Sequence, residues 1–270
     1  MRSRLCIHTI TTKPWQIEKA LTAYQDAGVK GISVWRDATT GRTPTVLRRQ
    51  IADHGLQTVS YVRGGFFPST SAQKRQQAIE ENKRIIDEAA ALGAPLVVMV
   101  CGADPEQSLQ ASVAQIEEGM TRLLPHAAAA GVKLGIEPLH PQYADTRSAI
   151  VTLGQANQMA ARLNHPAAGV VLDVYHVWWD PDLDHEIERC VAADNLFAFH
   201  VCDWRVPTRD ALNDRALMGA GCIDIKRIRR KLDTLGYTGF IEVEIFSTAY
   251  WELDQAVYLS QIVAAYEQHV

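Results

Sequence analysis

The stretch AGVKLGIEP, residues 130–138, holds a helix end, a strand and a charged strand terminus within nine residues. Alanine-rich sequence runs into Gly131, and glycine readily supplies the left-handed conformation that closes a helix. Val132 to Ile136 then reads as a short apolar strand, with Glu137 at its C-terminal end. The same grammar recurs at AGVKGI (27–32), HGLQTV (54–59), LGAPLV (92–97) and LGYTGFI (235–241). Apolar runs that follow such junctions without alternating are what strands buried on both faces need. Helix starts fit the scheme. Thr43-Pro44, Asp104-Pro105 and Asp180-Pro181 each put a capping side chain before a proline at the first helical position. Between junctions the helical period is plain, with Ile17, Ala20, Leu21 and Tyr24 on one face and Ile225, Ile228, Leu232 and Leu235 on another.

Carried along the chain, this reading predicts strands near 4–9, 31–35, 57–62, 96–101, 133–137, 168–173, 197–200 and 239–246. It predicts helices near 15–27, 44–54, 72–92, 105–130, 148–163, 182–193, 224–235 and 251–267. Strict alternation of strand and helix implies a parallel sheet. Eight β/α units fill residues 1–270 and leave no room for a second domain, so the expectation is a single closed (β/α)8 TIM barrel. A glycine-rich phosphate loop is missing from the sequence, which argues against an open doubly wound sheet.

The 270 residues carry 27 basic and 31 acidic side chains, for a net charge of −4, without a basic block. Nucleic acid and anionic membrane surfaces are therefore poor partners. No apolar run approaches the roughly 20 residues that span a bilayer. The opening MRSRLCIHTI reads as a first strand rather than a signal peptide. Five cysteines, an odd number without a CxxC pair, suggest buried thiols in a reducing, cytoplasmic setting.

Four strand ends carry chemistry. LGIEP ends in Glu137, VVLDVYH carries Asp173, FAFHVCD carries His200 and IEVEIF carries Glu244, at spacings of 36, 27 and 44 residues. In a parallel barrel the C-terminal strand ends form the active site, so these side chains would converge. Two Glu, one Asp and one His make a hard, oxygen-rich set suited to a divalent metal, with Mn²⁺ expected and Mg²⁺, Co²⁺ or Zn²⁺ alternatives. Side chains two apart share a face, which puts Gly135, Val171, Ala198 and Glu242 beneath the four. Glu242 is the odd member. It reads either as a partner below the site or as the ligand in place of Glu244. His8, Trp35 and Arg63 follow early strands and are substrate-binding candidates by position. The GGFFP loop (64–68) reads as a cover with glycine hinges.

The series GIEP (135–138), LDVYH (172–176), FHVCD (199–203), GAGCID (219–224) and VEIF (243–246) resembles the xylose-isomerase-like TIM-barrel superfamily. That superfamily includes ketose 3-epimerases, hydroxypyruvate isomerase, inosose dehydratase and endonuclease IV. The resemblance implies a divalent metal held by Glu137, Asp173, His200 and Glu244, with Glu137 and Glu244 also the catalytic acid/base pair. It implies substrate contacts from His176, three residues after Asp173, and from Arg205, one residue short of the epimerase spacing after His200. The implied reaction moves a proton beside a carbonyl of a small keto-sugar, a step whose enediolate charge a Lewis acid stabilises. A lyase of the same barrel begins with the same proton abstraction, as does a dehydratase. The endonuclease would need further early histidines, which this chain lacks apart from His8. The implied partner is a small-molecule sugar, and the resemblance allows a homodimer or homotetramer. With no evident phosphate cradle, the substrate is expected to be unphosphorylated.

Overall fold

A computed structural model describes residues 2–270. Eight parallel strands close into a barrel: Leu5–His8, Gly31–Trp35, Gln57–Gly65, Leu96–Val100, Lys133–Ile136, Ala168–Asp173, Leu196–Val201 and Ile241–Val243. They neighbour one another in chain order, and the first pairs with the last through Leu5–Ile241, Cys6–Glu242 and Ile7–Val243. Helices lie between successive strands. Glycines in left-handed conformation close the two longest, Ala72–Leu92 at Gly93 (φ 78°) and Leu109–Ala130 at Gly131 (φ 70°). The eight expected strands are all present.

Several boundaries move for local reasons. Asp104-Pro105 does not start a helix. Asp104 instead accepts backbone N–H bonds from Thr70 and Glu106, and the helix begins at Leu109 under the Ser108 cap. The fifth long helix begins at Leu153 rather than 148, where Thr152 and Gln155 form a reciprocal capping box. The last strand ends at Val243, because the Thr11 hydroxyl takes over from the ladder. It donates to the Val243 carbonyl at 3.0 Å and accepts from the Ile245 N–H at 3.0 Å. Glu244 sits between these two bonds. Among the elements without a counterpart in the sequence reading are the short helix Val174–Val177 and an antiparallel ribbon pairing Asp203–Trp204 with Arg215–Ala216.

Val62, Leu96, Val98, Val171 and Ala198 fill the barrel interior below the strand ends. Gly135 fits there because a Cβ would come within 2.7 Å of Val171 Cγ2. The GGFFP loop is less free than its glycines suggest. Phe67 is 2% exposed and its ring packs against Gly119, so it anchors the segment, while Phe66 stays 43% exposed. Gly65 has φ of 109°, and a Cβ there would lie 2.0 Å from the Val100 carbonyl oxygen. Gly65→Ala is therefore expected to destabilise the fold by about 3 kcal/mol or more, since backbone strain adds to an unrelievable clash. A chemical denaturation midpoint equal to wild type would contradict this packing.

Candidate active site

Glu137, Asp173, His200 and Glu244 stand at the C-terminal ends of the fifth to eighth strands, and each can offer one ligand atom within 4.8 Å of the others. Their backbones are fixed by neighbouring strands. The Glu137 N–H donates to Met99 O at 3.2 Å, the Glu244 N–H donates to Val201 O at 3.1 Å, and Asp173 pairs in register with His200. Asp173 also caps the short helix, its Oδ1 accepting the Tyr175 N–H at 2.9 Å, which leaves Oδ2 facing the cluster. All four residues are buried.

The donor set fits a divalent cation. Neither ring nitrogen of His200 has a hydrogen-bond partner, and Glu137 Oε1, 3.2 Å from His200 Nδ1, has none either. Buried polar atoms left unpaired are costly, and a metal ion satisfies several at once. The electrostatics agree. Burial depresses the His200 imidazolium, but Glu242, Glu137 and Glu244 overcome that and lift its pKa to about 10. Burial pushes Asp173 up to about 7, against the pull of Arg215. Burial acts on Glu244 the same way, yet His8 and Arg215 outweigh it and hold that carboxyl well below its usual range. Four buried carboxyls, from Glu137, Asp173, Glu242 and Glu244, gather around His200, an acid-rich set of the kind that takes up a hard dication.

Arg215 is the central residue the sequence reading did not name. It lies on the ribbon strand Arg215–Ala216, is 3% exposed, and places Nη1 2.8 Å from Glu244 Oε2 and 3.0 Å from Asp173 Oδ2. Its guanidinium rests on the Tyr175 ring at 4.4 Å. Its position three residues before the Met218–Asp224 stretch was the one available signal. Arg205, the arginine that the sequence reading singled out, pairs with an acid of the neighbouring loop. Its Nε lies 2.9 Å from Asp214, which also pairs with Arg209, so it braces the loop over the barrel mouth. One Ala211 carbonyl of that loop accepts from both Tyr143 and Tyr175 hydroxyls.

His176 lies on the short helix with Nε2 3.6 Å from Asp173 Oδ2 and 3.2 Å from Arg215 Nη2. Its Nδ1 can accept the His140 N–H at 3.2 Å and its Nε2 the Arg215 Nη2 N–H, and the neutral ring accepts only one of the two. Burial and Arg215 keep it neutral by holding the pKa well below normal.

His8 is fully buried at the end of the first strand, where a ring nitrogen lies within 4.8 Å of ligand atoms of His200 and Glu244. Its Nδ1 is 3.0 Å from Glu244 Oε1 and its Nε2 3.1 Å from Glu242 Oε2. Trp35 Nε1 is 3.2 Å from the same Nδ1, so that nitrogen either donates to Glu244 or accepts from Trp35. Glu242 is the partner below the site. Its Oε2 accepts from the Ser33 and Ser60 hydroxyls and lies 3.7 Å from His200 Nε2. Supporting carboxylates of this kind orient the groups that hold a metal.

The Met218–Asp224 loop winds round Asp203, whose carboxylate accepts the N–H groups of Trp204, Gly219 and Ile223 at 2.9 Å each. A Cβ on Gly221 would fall 2.3 Å from the Trp204 carbonyl oxygen, which explains the glycine. Trp204 packs over Tyr175 at 4.7 Å and near Trp178 at 5.6 Å, and Trp179 donates to the His176 carbonyl at 2.8 Å. These rings wall one side of the mouth.

A closed eightfold barrel with a buried carboxylate–imidazole cluster at its C-terminal mouth defines the class. The chain belongs to the xylose isomerase-like TIM barrel family, whose model matches residues 21–262. An inosose isomerase from Halalkalibacterium halodurans is 27% identical over 70% of this chain and 66% of its own length, just under two thirds. A 3-dehydroshikimate dehydratase from Pseudomonas putida is 24% identical over 87% of this chain but 36% of its own. Among solved structures, protein SMc04130 from Sinorhizobium meliloti 1021 is 40% identical, with a TM-score of 0.96 over 100% of this chain and 99% of that one. The IOLI protein, solved with a binding zinc atom, shares the fold at 20% identity, with a TM-score of 0.82 over 99% of both chains. No helix among the described residues is long and apolar enough to cross a membrane.

Proposed function

We propose that the protein is a divalent-metal-dependent isomerase or epimerase of a small keto-sugar. The observation that carries this reading is the convergence of Glu137, Asp173, His200 and Glu244 within 4.8 Å of one another. Asp173 and His200 would hold the cation, and Glu137 and Glu244 would both hold it and serve the substrate. When bound, the cation supplies Lewis-acid polarisation of the carbonyl and neighbouring hydroxyl oxygens. The oxygen-rich donor set favours Mn²⁺ and also accommodates Mg²⁺, Co²⁺ or Zn²⁺.

The residues divide the remaining work. One of Glu137 and Glu244 takes a carbon-bound proton next to the carbonyl, and the other returns it, general acid–base catalysis worth roughly 10²–10⁴ in rate. Arg215 steadies Asp173 and Glu244, and His176 contacts a substrate oxygen through a ring nitrogen. The wall of Tyr175, Trp178 and Trp204 limits water at the mouth. A second reading, a dehydratase working through the same proton abstraction, is favoured by the similarity to the 3-dehydroshikimate dehydratase over 87% of this chain.

Incubation with ketoses in deuterated water separates the two. Solvent deuterium in a recovered sugar without loss of water is the expected result, and an unsaturated product would transfer the assignment to the dehydratase. Chelation followed by dialysis is expected to lower the exchange rate by about 10²-fold or more, and Mn²⁺ to restore it. Full activity in protein shown by elemental analysis to be metal-free would refute the metal requirement.

A further inference from the structure

Two arginines near the barrel mouth make no ion pair. Arg63, at the end of the third strand, and Arg147, in the loop after the fifth, have no carboxylate within ion-pair distance among the described residues. Each is steadied by an aromatic face instead. Arg63 lies over the Phe66 ring at 4.5 Å, and Arg147 over the Tyr143 ring at 5.8 Å. Stacking fixes a guanidinium plane while leaving its edge donors free. Arg63 Nη1 is buried and has no acceptor within the protein.

The surrounding backbone is built to hold them there. Gly102 at the end of the fourth strand donates to the Arg147 carbonyl at 2.8 Å, and Phe66 donates to the Val100 carbonyl at 2.9 Å. The two guanidiniums are near enough to repel, and Arg63 also feels the charges of Glu137 and Glu244. A cleft of about 510 Å³ opens beside Arg63 between Trp35 and Phe66. Asp37 is the unpaired acid on its wall, and it is exposed to solvent. Arg36, on the same wall, is occupied by Glu81 and Glu88.

We propose that Arg63 and Arg147 form an anion subsite, and that the substrate is an acidic keto-sugar bearing a carboxylate or phosphate oxyanion. The inference rests on the proposed keto-sugar chemistry and adds the substrate's charge to it. The two stacked arginines lie outside the ion pairs that Arg215 makes with Asp173 and Glu244. A planar oxyanion gripping a guanidinium edge makes paired, charge-assisted hydrogen bonds. The reacting carbons would then lie between this subsite and the carboxylate cluster.

The test is calorimetric titration of Mn²⁺-loaded protein with D-fructose, D-fructuronate and D-fructose 6-phosphate. At least one charged sugar is expected to bind about tenfold or more tightly than fructose, a difference of about 1.4 kcal/mol. The preference should weaken with added salt. Gain with fructuronate alone identifies a carboxylate, and gain with the phosphate alone identifies a phosphate ester. Arg63→Gln is expected to erase the preference and Arg147→Gln to reduce it, with circular dichroism showing that each variant is folded. Equal binding of all three sugars to the wild type, or equal weakening of all three by both substitutions, would overturn the subsite. Deuterium exchange decides the keto-sugar reading separately, because a protein that exchanges protons but ignores charge fails only the present inference.

Discussion

Replacing Glu244 with glutamine is expected to slow deuterium exchange into a substrate ketose by about 10³-fold while leaving the protein folded. The substitution keeps the side chain's size and removes its charge. Three interactions change together. The cation loses a carboxylate ligand, Arg215 Nη1 loses its 2.8 Å partner, and His8 Nδ1 loses an acceptor at 3.0 Å. If Glu244 also carries the reacting proton, the loss exceeds what weaker metal binding alone produces. Excess Mn²⁺ should therefore not restore the rate. Exchange within tenfold of wild type at saturating Mn²⁺ would remove Glu244 from the acid/base pair.

Arg215→Met is expected to have the larger effect on stability. The guanidinium is 3% exposed and is shared by Asp173 and Glu244. Removing one partner of a buried ion pair typically costs about 3–5 kcal/mol, because a charge is left uncompensated. Without added metal the variant should unfold at markedly lower denaturant than wild type. Divalent metal should then recover part of the loss, since a cation can take over the charge that Arg215 balanced. Mn²⁺ is thus predicted to stabilise the variant more than the wild type. Equal stabilisation of both would show that arginine and metal do not share the same carboxylates.

The barrel was legible because its signals are local and repeated. A glycine at a helix end followed by an apolar run states a β/α junction without long-range information, and Gly93 and Gly131 hold the backbone that this reading needs. The four cluster residues were legible because parallel topology turns strand ends into neighbours. What escaped depended on contacts outside that repeat. Arg215 lies on a two-residue ribbon strand, too short for any periodicity, and reaches the site only because that ribbon pairs with Asp203–Trp204. Arg205 was the more visible arginine, yet Asp214 claims it. The place of Glu242 below the ligands follows from Ser33 and Ser60, on strands more than 180 residues earlier. Arg147 sits in a loop whose position is set by backbone bonds to Gly102.

The most direct test is a crystal of the protein soaked with Mn²⁺ and examined for anomalous scattering. The account predicts one strong peak per chain within about 2.0–2.4 Å of an atom from each of Glu137, Asp173, His200 and Glu244. The absence of a peak at full soaking, or a peak that any of these four residues fails to ligate, would contradict it.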